Sequence, residues 1–243
     1  MRGVFVTGTG TEVGKSVVAA AICAAVAARG KKVAAYKPVV TGIEEEGGPD
    51  WPADHELLAS VVSSGQPAHE IAPMRFEPPV SPHLAAEMAG TKIDPPALVD
   101  GARRAAEGHD FLVCEGIGGL LVPFTTGYMV RDLALDLGLP ALIAANPGLG
   151  TINHTLLTIE AARTGGLELL GVVFTPWPDE PSDLERSNRE AIEALGNVEV
   201  WGLPPTSPDE LAEAGEALPI DEWLEEAEST PAAGGLEAQP PGG

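Results

Sequence analysis

The chain has 243 residues, 44% of them hydrophobic, and a formal net charge of −22, because 36 acidic side chains outnumber 14 lysines and arginines. This length allows one sizeable core, and the charge argues against nucleic acid and anionic membrane as partners. No apolar stretch is long enough to span a membrane, and a strand at the start leaves no room for a signal peptide. We therefore expect a cytoplasmic protein.

Two features bear on that environment. Cys23 and Cys114 fall in a predicted helix and at a predicted strand end, which indicates small buried residues in a reducing compartment. The acidic, lysine-poor surface suggests a salt-rich cytoplasm; a solvated acidic face is the alternative.

The first element is a strand, a loop and a helix. Residues 3–16 read GVFVTGTGTEVGKS, and residues 17–28 continue as an alanine-rich helix. Loop amides and the helix dipole can cradle phosphate oxygens; Lys15 would reach the terminal phosphates and the Ser16 hydroxyl would bind Mg²⁺. Thr9 stands where the usual motif has its first glycine. An ordinary glycine-rich turn is the alternative, but Gly-Lys-Ser at a helix start favours a variant nucleotide-binding loop.

The second strand lies within residues 32–40 and should stop near Tyr36, because Pro38 cannot donate to a sheet. Lys37 and Thr41 would then lie on the loop at its carboxyl end, where ligands bind in open α/β sheets. A solvated lysine before a turn explains Lys37 equally well. After a polar loop at residues 44–53, Asp54 is predicted to cap a helix over residues 56–62, and capping alone would explain it.

The third strand, residues 111–115, ends at Glu115 and runs into the glycine-rich residues 116–119. In P-loop proteins the carboxylate that closes such a strand helps to hold Mg²⁺. Short helices are expected before it, at residues 84–89 and from Pro95 to about Glu107. A further helix should follow at residues 130–137.

The last strands are predicted at residues 141–145, 169–175 and 197–203, with a charged surface helix at residues 183–195. Between the first two of these strands a helix should start at Thr151, and its amides would form a second anion site. Residues 228–243 are of low complexity and are expected to be a disordered tail.

This alternation predicts an α/β, P-loop NTPase-like fold: a mainly parallel twisted sheet with helices on both faces, in a single domain of residues 1–227. Function should then lie along the carboxyl edge of the sheet. The segments at that edge are residues 8–16, 37–41, 115–119, 146–153, 175–181 and 204–206.

With these segments collected, the chain resembles the dethiobiotin synthetase family from Gly3 to about Pro208. Six separated motifs carry the resemblance, at residues 6–16, 36–42, 81–83, 115–119, 150–155 and 202–204. It implies a Mg²⁺-dependent ligase of biotin biosynthesis that converts diaminopelargonate, CO₂ and ATP, or another nucleoside triphosphate, into dethiobiotin. The γ-phosphoryl group would pass to a carbamate of one amine, and attack by the second amine would close the ureido ring.

The resemblance also implies residue roles. Lys15 and Lys37 would be catalytic and neutralise charge on the transferring phosphoryl group and carbamate, and Ser16, Asp54 and Glu115 would hold Mg²⁺. The residues implied for nucleotide binding are Glu12, Val13, Gly14, Lys15, Ser16, Val17, Asp54, Glu115, Gly116, Ile117, Gly118, Thr175, Pro176, Pro204, Pro205 and Thr206. Those implied for substrate binding are Thr11, Thr41, Ser81, Gly150, Thr151, Ile152 and Asn153.

In the family the substrate pocket lies at the interface of a homodimer, and residues 150–153 come from the opposite subunit. The chain departs from the family pattern where Gly10 replaces a frequent aspartate, Thr41 a serine and Ser16 a threonine. The last two changes keep the hydroxyl, whereas the first removes a possible carboxylate near the site.

Three other functions are alternatives for a chain with this phosphate loop. ParA- or MinD-like switch ATPases carry a lysine five residues before the P-loop lysine, and here that position is Gly10. Glutamine-dependent cobyrinate amidases carry a second domain with a nucleophilic cysteine, which we do not expect here. A regulatory nucleotide-binding module would release no phosphate in response to diaminopelargonate and bicarbonate.

Overall fold

The computed structural model describes residues 1–43 and 51–229, and a parallel sheet of six strands runs through them. In chain order the strands, including two short pairs outside this sheet, are β1 (Gly3–Gly8), β2 (Val33–Tyr36), β3 (Val39–Thr41), β4 (Met74–Phe76), β5 (Phe111–Glu115), β6 (Pro123–Thr125), β7 (Tyr128–Met129), β8 (Ala141–Ala145), β9 (Leu169–Phe174) and β10 (Glu199–Gly202). The order across the main sheet is β10-β9-β8-β1-β5-β2, and β1 is central.

The helices connect these strands. In chain order they are α1 (Lys15–Ala28), α2 (Asp54–Val61), α3 (Ala68–Ile71), α4 (Pro82–Met88), α5 (Pro95–Ala106), α6 (Val130–Leu137), α7 (Thr151–Thr164), α8 (Asp183–Gly196), α9 (Leu211–Gly215) and α10 (Ile220–Ser229). In this part of the chain no helix combines the length and the apolar character that crossing a membrane requires.

The central strands are buried on both faces because their side chains are apolar in both directions. In β1, Val4 and Val6 join a core with α1, α2, α9 and α10, whereas Phe5 joins a core with α4, α5 and α6 on the opposite face. A third cluster lies under α7 and α8. This layering confirms the predicted parallel sheet with helices on both faces.

Most predicted elements are present; α3, β4, β6, β7 and α9 were not predicted, and three further differences change an interpretation. The second strand does stop at Tyr36, but the predicted loop beyond it contains β3, which pairs with β4, so Thr41 lies in a strand. Helix α2 starts at Asp54 after Ala53, and no side chain caps it; the cap interpretation of Asp54 is therefore wrong.

The third difference concerns the C-terminal region. Helix α10, which the sequence analysis did not predict, reaches Ser229 and so includes the first two residues of the expected tail. Residues 230–243 lie outside the described residues, as do residues 44–50 of the predicted polar loop. The division into one domain and a disordered tail stays a prediction.

Candidate active site

The loop between β1 and α1 forms the first wall of the candidate site. Glu12 (φ 58°) and Gly14 (φ 82°) adopt left-handed backbone conformations, and turns of this kind produce the concave runs of N–H groups that bind phosphate. The Lys15 side chain folds back over the loop, where its Nζ donates to the Gly10 carbonyl at 2.7 Å. The predicted phosphate loop therefore has a suitable shape.

Beside this loop, four predicted site residues meet in what we call the Lys37 cluster: Ser16, Lys37, Asp54 and Glu115. The Lys37 Nζ donates to Glu115 Oε1 at 2.8 Å and to Ser16 Oγ at 3.2 Å, and it also contacts Asp54 Oδ2. Ser16 Oγ in turn donates to Glu115 Oε1 at 2.8 Å. Lys37 is only 4% exposed, so it is not the solvated lysine that the sequence left as an alternative.

The topology of the sheet brings these residues together. Glu115 is the last residue of β5, which lies between β1 and β2. Lys37 follows β2 directly, and Ser16 lies in the first turn of α1 after β1. The carboxyl ends of neighbouring parallel strands share one edge, so these three side chains converge there, and Asp54 at the start of α2 closes the cluster.

Burial and charge together determine the protonation in the cluster. Burial by itself would lower the pKa of Lys37, but the carboxylates of Glu115 and Asp54 raise it above its usual range. Burial similarly opposes ionisation of Asp54, yet the Lys37 ammonium holds the pKa of Asp54 below its ordinary value. Burial raises the pKa of Glu115, and Lys37 counteracts this. The buried carboxylate of Glu115 therefore depends most on a cation in contact with it, whereas Asp54 is partly exposed.

The same oxygens suit a magnesium ion. Within the described residues, Glu115 Oε2 is buried and has no hydrogen-bond partner, which is costly unless something binds it. Ser16, Asp54 and Glu115 offer hard oxygen donors, and Mg²⁺ is commonly held by one or two carboxylates together with substrate phosphates. Across the described ranges, no group of three or more His, Cys, Asp or Glu side chains could hold a metal alone. The donor set thus fits a cation shared with a nucleotide.

Burial also weakens the proton affinity of the P-loop lysine. The pKa of Lys15 is lowered, chiefly because burial disfavours its charge, while the Glu115 carboxylate acts in the opposite direction. A phosphate group in contact with Lys15 would restore favourable charge pairing. A bound anion would therefore stabilise the charged form of Lys15.

The glycine-rich segment after Glu115 has a packing role, and its predicted role in nucleotide binding stays a prediction. A side chain at Gly116 would approach Val130 to 2.7 Å, so this glycine is explained by packing between β5 and α6. Gly119 lies beside the phosphate loop: a Cβ there would be 3.5 Å from the Gly8 carbonyl oxygen. Ile117 packs against the core and Gly118 has φ 61°.

The predicted base-binding segments meet at the ends of β9 and β10. Thr175 is buried, and its methyl group lies so close to Gly14 that a Cβ at Gly14 would be 2.4 Å from it. The Trp177 amide donates to the Leu203 carbonyl at 2.7 Å, which joins residues 175–177 to the segment that continues into residues 204–206. Thr175 therefore contacts the phosphate loop, and residues 204–206 follow directly after the residue to which Trp177 is hydrogen-bonded.

The predicted substrate residues are more scattered. Thr11 is exposed on the phosphate loop, Thr41 lies in β3, Ser81 precedes α4, and residues 150–153 begin α7. In the part of the chain that the structure describes, no hydrogen bond joins any of them to the Lys37 cluster. One residue that the sequence analysis missed is Asn188 of α8, which holds the loop before α7; an asparagine inside a charged helix gave no signal.

Comparisons with known proteins agree with this geometry. A family model described as an AAA domain matches residues 2–213. The ATP-dependent dethiobiotin synthetase BioD of Rhodococcus jostii (strain RHA1) is 40% identical over 222 residues, covering 90% of this chain and 93% of the relative. The BioD protein of Bacillus subtilis (strain 168) is 36% identical over 205 residues, covering 84% and 87%.

Solved structures resemble this chain in fold. Apo McdA from Cyanothece aligns with a TM-score of 0.54 at 10% identity, covering 94% of this chain and 100% of that one. The MinC:MinD cell division protein complex of Aquifex aeolicus gives 0.51 at 15% identity, covering 96% and 98%. At such identities the likeness concerns the fold alone, and it confirms the predicted P-loop NTPase-like class.

Proposed function

The chain belongs to the dethiobiotin synthetase family, and from that membership we propose roles for the residues of its active site. Its function is the ATP-dependent synthesis of dethiobiotin, in the biotin pathway, from diaminopelargonate and CO₂. The Lys37 cluster is the observation that carries the proposal, because it gathers the residues for phosphoryl transfer at one edge of the sheet.

The reaction needs charge neutralisation more than covalent help. One amine adds CO₂ to give a carbamate and releases a proton. The carbamate oxygen then attacks the γ-phosphorus, the nucleoside diphosphate leaves, and a carbamic–phosphoric anhydride remains. The second amine attacks the carbonyl carbon, phosphate departs, and the five-membered urea closes. Lys15 and Lys37 stabilise the negative charge on the phosphoryl oxygens and carbamate, and the fixed loop holds them in line.

Ser16, Asp54 and Glu115 would hold Mg²⁺, and their oxygen chemistry fits it, as the unpartnered Glu115 Oε2 illustrates. When bound, the ion supplies charge neutralisation for the phosphate oxygens. Lys37 contacts the same three residues. We therefore expect the Lys37 ammonium and a divalent cation to compete for these oxygens.

Nucleotide phosphates would rest on the loop amides of residues 12–17 with Lys15 beside them, and the base would lie near residues 116–118, 175–176 and 204–206. The contact between Thr175 and Gly14 supports this, because it sets the base-binding segment directly against the phosphate loop. Pro176 cannot donate a backbone hydrogen bond to the base, because proline has no N–H.

The carboxylate of diaminopelargonate would bind the amides at residues 150–153, with Thr11, Thr41 and Ser81 nearer the amines. We place residues 150–153 in the pocket of a second subunit. Leu149, directly before them, is 90% exposed, and Leu157, one turn after Asn153 on the same helix face, is 61% exposed. Two large apolar side chains at this place suit a homodimer interface in a cytoplasmic enzyme.

Hybrid dimers test that arrangement. Lys15→Ala chains mixed with Asn153→Ala chains should regain activity, because one of the two pockets then combines an intact Lys15 with an intact Asn153. Native mass spectrometry would establish that hybrids are present. Absence of recovery in such a preparation would place the whole pocket within one chain.

An isotope experiment tests the carbamate route. With ¹⁸O-labelled CO₂ added immediately before a rapid reaction, the released phosphate should carry one labelled oxygen, because the carbamate oxygen that attacked phosphorus leaves with it. Unlabelled phosphate, formed while the ureido carbonyl retains label, would contradict phosphoryl transfer to the carbamate. A parallel reaction started after the CO₂ oxygens have exchanged with water supplies the unlabelled control.

A further inference from the structure

We propose that Asn188 is a positioning residue for the carboxylate end of the substrate. It lies on α8, outside every motif of the phosphate loop and the Lys37 cluster, yet it holds the loop that leads into α7. The inference rests on the proposed substrate site at residues 150–153.

The side-chain nitrogen of Asn188 is directed at that loop. Its side chain is buried, with 4% exposure, and its Nδ2 donates to the Pro147 carbonyl at 2.8 Å and to the Gly148 carbonyl at 3.1 Å. An amide nitrogen carries two hydrogens and can serve both acceptors at once. An aspartate of the same shape would place a carboxylate against two carbonyl oxygens.

The loop is held from its own side as well. Asn146 Oδ1 accepts from the Gly148 amide at 2.8 Å, and the Gly148 carbonyl accepts from the Thr151 amide at 3.3 Å. The Gly148 carbonyl is therefore shared between the first residue of α7 and Asn188. Gly150, which lies between Gly148 and Thr151 in the chain, has φ 94°, a conformation that glycine adopts without strain.

This arrangement links Asn188 to the predicted anion site. The peptide planes of residues 148–151 fix the direction of the first amides of α7, and those amides are the proposed ligands of the carboxylate. A buried amide needs hydrogen-bond partners, whereas Ile192 one turn later on α8 is fully buried in apolar contact. Helix packing alone would thus be served by an apolar residue at position 188, and the amide is explained by the loop.

Steady-state kinetics of Asn188→Leu and Asn188→Asp test the proposal. Loss of the two hydrogen bonds should raise KM for diaminopelargonate about tenfold, more for Asp than for Leu, because misdirected amides lose roughly one hydrogen bond to the carboxylate. KM for ATP should stay within about twofold of the wild type, since the phosphate loop is untouched. Asn188→Leu, which is apolar and of similar size, keeps the test available if Asn188→Asp does not fold.

Ile192→Ala is the matched control. It destabilises α8 by removing a buried side chain but touches no carbonyl of the loop, so it should lower the melting temperature and leave both KM values unchanged. If Ile192→Ala raises KM for diaminopelargonate as much as Asn188→Leu does, Asn188 acts only through general stability. That outcome would overturn the proposal.

The diamine that lacks the carboxylate separates this proposal from the one it rests on. Wild-type enzyme should bind it more weakly than diaminopelargonate, and the Asn188 variants should bind it as the wild type does. If the wild type does not distinguish the two diamines, the substrate site at residues 150–153 is wrong. If it does distinguish them but the Asn188 variants keep the wild-type KM for diaminopelargonate, the positioning role is wrong.

Discussion

Lys37 is held in the cluster by charge, and this arrangement supports the catalytic role that we propose for it. Its ammonium is buried against Glu115 and Asp54, which hold its charge and raise its pKa. A permanent cation at this place can neutralise a transferring phosphoryl group without proton transfer. The cluster is thus prepared for charge before any anion arrives.

Replacing that lysine should therefore affect turnover more than binding. Lys37→Ala is expected to lower kcat about 10²-fold, the typical effect of losing one preorganised charge, while nucleotide affinity is largely kept by the loop and Lys15. Single-turnover kinetics with a fluorescent nucleotide would separate the two. Near-normal turnover in Lys37→Ala would contradict the assigned role.

Competition between Lys37 and a divalent cation provides a second readout of the same residue. Lys37→Met should strengthen Mn²⁺ binding, measured by electron paramagnetic resonance without nucleotide, because Ser16, Asp54 and Glu115 lose their ammonium partner. Lys15→Met removes one nearby charge but none of these contacts, so its effect should be smaller. If the two substitutions strengthen Mn²⁺ binding equally, the effect comes from the loss of positive charge in general, and Lys37 does not compete with the ion for these oxygens.

At this scale the sequence located the residues but not their contacts. That Lys37 and Glu115 lie at strand ends follows from the apolar runs before them. The contact of Lys37 with Asp54 depends on how α2 docks, which no local pattern encodes. The sequence could not decide between the capping and the metal-binding interpretations of Asp54, because the same short carboxylate serves helix starts and metal sites.

At the scale of elements, α8 starts with a reciprocal capping box. Ser182 Oγ accepts from the Glu185 amide at 3.3 Å, and Glu185 Oε2 accepts from the Ser182 amide at 2.7 Å. The hydrogen bond from the Ser182 amide, followed by one that the Ser182 hydroxyl donates to Glu185 Oε2 at 2.7 Å, lowers the pKa of Glu185. Because the folded-state pKa is lowered, the stabilisation is present above the unfolded-state pKa and is lost as pH falls through the folded-state pKa.

The capping box gives a prediction for stability. Ser182→Ala should cost about 1 kcal/mol, or roughly 2–4 °C in melting temperature for a chain of this size. Glu185→Gln should lower the melting temperature at pH 7, and this difference should vanish in acid; calorimetry across pH measures both. Glu190→Gln, on the same helix, is the control. A Glu185→Gln effect that persists in acid would show that its charge is not responsible.

The loop after β9 predicts tolerance among nucleotides. The turn here contains Thr175 and Pro176, and neither offers a side-chain amide that could both donate to and accept from a base edge. Without a bidentate side chain the enzyme forfeits about 1–3 kcal/mol of discrimination between bases, so CTP and GTP should be used within about tenfold of ATP. Comparing kcat/KM for the four nucleoside triphosphates measures this. A preference for ATP above a hundredfold would show that another group reads adenine.

Elements with strong apolar periodicity were predictable, and those built from tertiary contacts were not. The strands β5 and β8 and the helix α6 occur at their predicted bounds. Helix α10 was missed because half of its ten residues are acidic, and its place is set by Trp223, which packs edge-on against Trp201 with 5.5 Å between ring centroids. The strand β3 depends on β4, which lies more than thirty residues later in the chain.

For the whole molecule, the net charge of −22 predicts a dependence on salt. Repulsion among surface carboxylates weakens as the screening length falls from about 10 Å at 0.1 M to about 3 Å at 1 M. We expect the melting temperature and activity to rise with KCl into the molar range. The rise in melting temperature should shrink when the pH is lowered enough to protonate carboxylates. A melting temperature that is flat or falls with KCl at neutral pH would contradict this prediction.

The P-loop NTPase-like fold is shared by switch ATPases and by ligases, so the chemistry at the edge of the sheet decides the function. Gly10 stands where the switch ATPases carry their signature lysine, and Lys37 is held in the cluster with Ser16, Asp54 and Glu115. In a ligase of this kind, we expect nucleotide hydrolysis to require the acceptor, which here is the carbamate of diaminopelargonate.

Phosphate release, measured with each component omitted in turn, tests this most directly. In the presence of Mg²⁺ and ATP, phosphate and dethiobiotin should form one to one, and omission of diaminopelargonate or of bicarbonate should stop both. Phosphate release that continues without diaminopelargonate, at the rate seen in its presence, would contradict the assignment of the Lys37 cluster to carbamate phosphorylation.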